Sequence, residues 1–210
     1  MKDLFKGCLT VPNLLSVIRI ALIPVFAVLF LGDNQIAALI VLAVSGLTDL
    51  FDGKIARRFN QVSALGKILD PVADKLTQIT IAIILFILFR GADSALINAF
   101  GWVFLVFLIK EAVMVIGGLV MLLMNIRPGA AEMPGKVATA AFYAIMILII
   151  GFGPEVGAFS RYWTLPEALT GILVVISAIL TLVAFASYMP ETYRQFKEHF
   201  TEKKSGKKSK

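Results

Sequence analysis

Four of the chain's fourteen acidic residues crowd into one short run, Asp49-Leu-Phe-Asp52-Gly53-Lys-Ile-Ala56-Arg57 followed by Gly66-Lys-Ile-Leu-Asp70-Pro-Val-Ala-Asp74. On a helix Asp49, Asp52 and Ala56 share one face at i, i+3 and i+7, and Gly66, Asp70 and Asp74 share another at i, i+4 and i+8. The residues between them let two helices run antiparallel with these stripes opposed. Carboxylates gathered this way repel one another, and near hydrocarbon each charge costs about 2.5–3.5 kcal/mol on insertion scales. A hard divalent cation with oxygen ligands offsets that cost. Mg²⁺ in particular favours a few carboxylates together with substrate phosphates over a closed protein cage. No His or Cys lies within the run, which argues against zinc. Gly53 and Ala56 leave the backbone open to close approach, and Arg57 can fork onto a phosphate. The chemistry indicated is recognition of a diphosphate through metal. Solvated helix-end charges with snorkelling lysine partners would explain one aspartate but not all the offsets together.

The elements that must hold this block are membrane helices. Of 210 residues, 59% are hydrophobic and only 16% charged, and mean hydropathy is +0.87. A soluble domain is roughly 45–50% apolar and about 25% charged, so both a soluble fold and disorder are excluded. Crossing about 30 Å of hydrocarbon takes about 20 helical residues. Six segments qualify: Leu14–Gly32, Gln35–Asp52, Ile68–Phe89, Leu96–Met124, Val137–Gly153 and Pro166–Tyr188. Barrel-type alternation is absent, so the fold expected is an all-α integral membrane protein of six transmembrane helices.

Basic residues collect on one side. Lys2 and Lys6 precede the first span, Lys54, Arg57, Arg58 and Lys67 lie between the second and third, Arg127 and Lys136 lie between the fourth and fifth, and seven more fall between Arg194 and Lys210. The opposite side has Arg90 and Arg161. Both termini and the acidic block therefore face the cytoplasm. The chain reads as a membrane domain over residues 1–190 and a basic cytoplasmic tail over 191–210. Phe196 and Phe200 among basic residues suit a short amphipathic helix, with disorder expected from Ser205 onward. The net charge of +6 comes largely from this tail, so a nucleic-acid partner is not expected.

The run from Asp49 to Asp74 resembles, at all eight fixed positions over 26 residues, the signature D-x2-D-G-x2-A-R-x8-G-x3-D-x3-D of the CDP-alcohol phosphatidyltransferase family. That resemblance implies a six-helix, dimeric membrane enzyme that moves a phosphatidyl group from a CDP-linked lipid to an alcohol and releases CMP. It also implies dependence on Mg²⁺ or Mn²⁺, as a pair of ions. Carried over by position, Asp49, Asp52, Asp70 and Asp74 would hold the metal, and Asp74 would also be the base. Gly53, Arg57, Ser63 and Gly66 match positions of the CDP-lipid site, and Pro12-Asn13-Leu14-Leu15 is similar to the family's nucleotide-contacting N-terminal segment, adding Asn13. The setting implied is the bacterial inner membrane, with CDP-diacylglycerol as donor.

For the acceptor, a phosphate-bearing alcohol needs cations beyond the motif, and Lys110, Arg127 and Lys136 are the candidates. Lys110-Glu111 is an ionisable pair inside an apolar segment, a functional candidate by default. Adjacent helical residues do not face each other, so the two are expected to have separate partners. Lys67, Lys75 and Arg19 could reach a phosphate or simply snorkel. The fourth segment and Pro134-Gly135-Lys136-Val137-Ala138-Thr139 resemble the region of family members that use glycerol 3-phosphate, with an R-E pair and then G-K-x-K-T. Two departures stand out: Lys110 replaces the arginine and Ala138 the second lysine. Glycerol 3-phosphate is the acceptor expected, with phosphatidylglycerol, converted to cardiolipin, as the alternative. An ion-coupled transporter is the reading from another class. It is disfavoured because the acids cluster at one face instead of the midplane and no broken helices recur in two halves. Cys8 and His199, each the single residue of its type, take no role in this reading.

Overall fold

The computed structural model describes the backbone of residues 10–32, 34–58, 63, 65–124, 126 and 133–207, and the side chains of these apart from 49–58, 67, 68, 122, 200 and 202–207. Among the described residues the chain is helical throughout, with no strand. The order is α1 (Val11–Leu31), α2 (Gln35–Arg58), α3 (Gly66–Arg90), α4 (Ala95–Leu123), α5 (Met133–Phe152) and α6 (Glu167–Lys207). Five of these are long and apolar enough to cross a membrane, as a multi-pass membrane protein requires. The sixth, α2, runs without a break from its apolar part through the acidic motif to Arg58, past the span end expected at Asp52.

Local chemistry starts and stops the helices. Thr10 caps α1 by accepting from the Asn13 N–H at 3.3 Å, and Pro12 lies in the first turn, where its missing N–H costs nothing. Ser94 caps α4 by accepting from the Ile97 N–H at 3.4 Å and donates to Glu167 at 2.6 Å. Glu155, with φ 63°, accepts from the Asp93 and Ser94 N–H groups at 3.3 and 3.4 Å. Arg90 donates to Asn98 and lies 4.4 Å from the centre of the Trp102 ring. These contacts tie the α3–α4 turn to the α5–α6 connection on one side of the bundle. The acidic motif lies at the other end.

The core runs through the middle. Phe26, Leu42, Ile81, Leu85, Phe89, Phe142 and Ile149 are buried there, while the exposed apolar residues of α1, α4 and α6 meet lipid. Phe107 of α4 stacks on Phe142 of α5 with ring centres 4.7 Å apart. The last helix passes through Pro190 and reaches Lys207, so the helix expected around Phe196 and Phe200 is continuous with the span, and the disorder expected from Ser205 is corrected up to Lys207. Pairs along it account for this continuity, with Arg194 joined to Glu191 at 2.8 Å and Gln195 at 2.9 Å from the same carboxylate.

At Gly171 of α6 an added Cβ would run into the ring of Phe100, so this glycine sets how closely α6 and α4 approach. Gly171→Leu is expected to destabilise the bundle by about 1–3 kcal/mol through overpacking. The check is the thermal unfolding midpoint of the purified protein in detergent, which should fall by several degrees.

Candidate active site

Two of the four expected carboxylates are described in full. Asp70 and Asp74 lie one turn apart on α3, both half-buried, with Pro71 between them. Asp70 accepts a hydrogen bond from Ser16 of α1, a side chain with no exposed surface. Asp74 is held at both oxygens: Tyr143 of α5 donates to Oδ1 at 3.0 Å and Gln78 of α3 donates to Oδ2 at 3.0 Å. Three helices therefore supply donors to the pair. Asp49 and Asp52 lie in α2 at i and i+3, as the signature requires, with Gly53 and Arg57 in the same helix. The side chains there fall outside the described residues, and Arg127 falls outside them altogether. Among the described residues no three His, Cys, Asp or Glu side chains converge on one point.

The expected lipid-site residues Asn13, Ser63 and Gly66 are brought together. Asn13 donates from Nδ2 to Ser63 Oγ at 2.9 Å, and Ser63 Oγ accepts from the Gly66 N–H at 2.9 Å, capping α3 from three residues upstream. An added Cβ at Gly66 would run into the Asn13 side chain and come within 3.0 Å of Ser63 Oγ. Only glycine lets α1 dock this closely on the start of α3. The interlock sits one turn before Asp70, and Asn13, Ser16 and Arg19 form one buried stripe of α1 at i, i+3 and i+6. Arg19 is 1% exposed, so the alternative that it snorkels is overturned.

A charged cluster adjoins Asp74. Glu111, fully buried on α4, receives Lys75 of α3 at 3.0 Å and Lys110 of its own helix. Lys110 is 6% exposed at its side chain and lies 4.9 Å from the centre of the Phe107 ring. The expectation of separate partners for Lys110 and Glu111 is corrected. Four methylenes let the lysine curl back onto its neighbour, and burial rewards the pairing because an unpaired charge there would be costly. Lys75 keeps 28% of its side chain exposed, and Lys136 is exposed at the start of α5. Lys110 is thus committed to an internal pair, and Lys75 is the cation of this cluster with solvent access.

Ser16, Gln78 and Tyr143 were not among the expected site residues. Gln78 extends the series Gly66, Asp70, Asp74 by one more step of four, a signal present in the sequence. Ser16 lies three residues beyond Asn13. Tyr143 carried a weaker cue, a hydroxyl in an otherwise apolar span that must find a partner.

Helices long and apolar enough to cross a membrane hold a half-buried carboxylate face braced by hydroxyl and amide donors, an arrangement suited to a membrane enzyme that acts on a polar group. A model of the CDP-alcohol phosphatidyltransferase family matches residues 9–183, and the chain belongs to that family. It is accordingly a phosphatidyltransferase of phospholipid synthesis. It is 30% identical over 194 residues to a CDP-diacylglycerol–glycerol-3-phosphate 3-phosphatidyltransferase of Aquifex aeolicus, covering 92% of this chain and 100% of that one. It is 37% identical over 152 residues to a cardiolipin synthase (CMP-forming) of Streptomyces coelicolor, covering 69% of this chain and 67% of that one. To the human cardiolipin synthase (CMP-forming) it is 51% identical over 75 residues, 35% of this chain and 25% of that one.

Glu111→Leu strands the Lys110 ammonium in the bundle interior and should cost about 3–5 kcal/mol, whereas Glu111→Leu combined with Lys110→Met should recover most of the loss. Unfolding of both variants in detergent checks this, and equal loss in the two would contradict it. Ser16→Ala should lower CMP release about tenfold or more, because it removes the donor that holds Asp70, and should lower the unfolding midpoint by several degrees, since a hydrogen bond to a charged group contributes about 1.5–3 kcal/mol to stability.

Proposed function

We propose that this protein transfers the phosphatidyl group of CDP-diacylglycerol to glycerol 3-phosphate, forming phosphatidylglycerophosphate and CMP at the cytoplasmic face of a bacterial inner membrane. The observation that carries the acceptor is the likeness to the Aquifex relative, which runs the full length of that protein. The observation that supports the chemistry is the Asp70–Asp74 face, with donors already fixing each carboxylate.

Asp49, Asp52, Asp70 and Asp74 suit divalent metal: all are hard oxygen donors, and the described pair is half-buried and one turn apart. When bound there, Mg²⁺ or Mn²⁺, as one or two ions, would neutralise the diphosphate and favour departure of CMP. The chain's own residues do the rest. Asn13, Gly53, Arg57, Ser63 and Gly66 hold the nucleotide-lipid, the first, fourth and fifth through the interlock that sets the start of α3. A primary hydroxyl of the acceptor then forms a bond to the phosphatidyl phosphorus. The bond from that phosphorus to the bridging oxygen breaks, its electron pair leaves with CMP, and Asp74 takes the hydroxyl proton. Of the acceptor-phosphate candidates Arg127 and Lys136 remain, and Lys75 joins them in place of the buried Lys110. Residues 1–190 form the catalytic membrane domain and 191–210 the basic tail. The family resemblance also supports a homodimer.

A second reading, cardiolipin synthesis with phosphatidylglycerol as acceptor, is favoured by one observation. Ala138, at the point where the glycerol 3-phosphate pattern has its second lysine, is 4% exposed, and this chain offers no cation at that position. Both acceptors present a glycerol phosphate to the site. They differ in charge and in the acyl chains that one of them carries.

CMP release by the purified protein with CDP-diacylglycerol and Mg²⁺ distinguishes them. Release with glycerol 3-phosphate is expected, and release with phosphatidylglycerol alone would replace the first reading by the second. Asp74→Asn should reduce turnover by at least about a thousandfold, while binding of CDP-diacylglycerol is partly retained. Near-wild-type turnover by that variant would remove Asp74 from the role of base.

A further inference from the structure

We propose that Tyr143 and Gln78 form a two-point donor cradle that fixes the plane of the Asp74 carboxylate, making Tyr143 of α5 a positioning residue for phosphatidyl transfer. The inference rests on the function proposed above. An aspartate's terminal torsion is broad, so a carboxylate held at one oxygen still swings about it. Asp74 is held at both, by Gln78 one turn along its own helix and by Tyr143 from a helix 69 residues away in sequence. Each carboxylate oxygen has two lone pairs.

The placement of Tyr143 is itself determined. Phe142 is 1% exposed and stacks on Phe107 of α4, which locks the rotation of α5 about its axis. The neighbouring tyrosine ring packs edge-on against Phe142 at 6.0 Å. With that register set, the phenol points at Asp74. Along the two helices the residues also match in depth: Tyr143 stands ten residues into α5 and Asp74 eight into α3, about 15 Å and about 12 Å of rise. A phenol at such depth must have a partner, but a tyrosine is not needed there for packing alone, since phenylalanine would fill the same volume without a hydroxyl to satisfy. The hydroxyl donates to the carboxylate, a contact that phenylalanine would remove at little change in volume.

The test is steady-state kinetics of Tyr143→Phe and Gln78→Met in detergent with CDP-diacylglycerol, Mg²⁺ and, in separate arms, glycerol 3-phosphate and phosphatidylglycerol. Each variant is expected to lose about tenfold to a hundredfold in kcat, the scale on which small misplacements of a reacting group act, with KM for CDP-diacylglycerol within about threefold of wild type. The double variant should lose less than the product of the two single losses, as groups acting on one carboxylate do. Should Tyr143→Phe not fold, Gln78→Met carries the same test. A folded variant with unchanged kcat, or one whose loss lies wholly in KM, overturns the cradle while leaving the proposed reaction standing. Absence of CMP release by the wild type with either acceptor overturns the reaction and the cradle with it.

Discussion

A carboxylate placed where hydrocarbon begins has to be surrounded by donors or by opposite charge, and this requirement organises the bundle. Asp70 takes its donor from α1, Asp74 from α3 and α5, and the ammonium groups beside Asp74 are in turn balanced by Glu111 of α4. Among the described residues α1, α4 and α5 each contribute a polar group to α3 near the motif. The helices are thereby positioned by their partners for charge as much as by apolar packing, which in lipid offers little preference between one neighbour and another.

The cluster of Lys75, Glu111 and Lys110 shows how the balance is struck. Two lysines share one glutamate, leaving one formal positive charge beside the negative charge of Asp74. The set as a whole is neutral. The ring of Phe107, 4.9 Å from the Lys110 ammonium, supplies a further electrostatic contribution. On the far side of the bundle, Glu155 accepts from the Asp93 and Ser94 N–H groups and Glu167 from the Ser94 hydroxyl, so that end is closed by contacts between its connections.

Much of this was legible in the residues. The apolar runs marked all six helices, and the aspartate offsets placed Asp70 and Asp74 on one face. What the sequence could not give was the third dimension of the site. Nothing in the spacing links Ser16 to Asp70 or Tyr143 to Asp74, because those bonds cross 54 and 69 residues and depend on which helices pack together. Lys110-Glu111 was visible as a pair but misjudged, since rules for facing residues concern the helix surface and not a long side chain folded back in the interior. The polar continuation of α6 was read as a basic tail with a short helix, and charge pairs between its successive turns accompany a helix that is continuous with the span.

The continuity of α2 has a consequence for traffic. One helix carries the chain from an apolar stretch into the acidic motif without a break, so Asp49 and Asp52 stand on the same rod that meets lipid. A donor lipid diffusing in the plane then reaches the motif by sliding sideways at its own headgroup level, with its acyl chains never leaving the leaflet. A small water-soluble acceptor would arrive from above, so that two-dimensional and three-dimensional diffusion converge on one phosphorus atom.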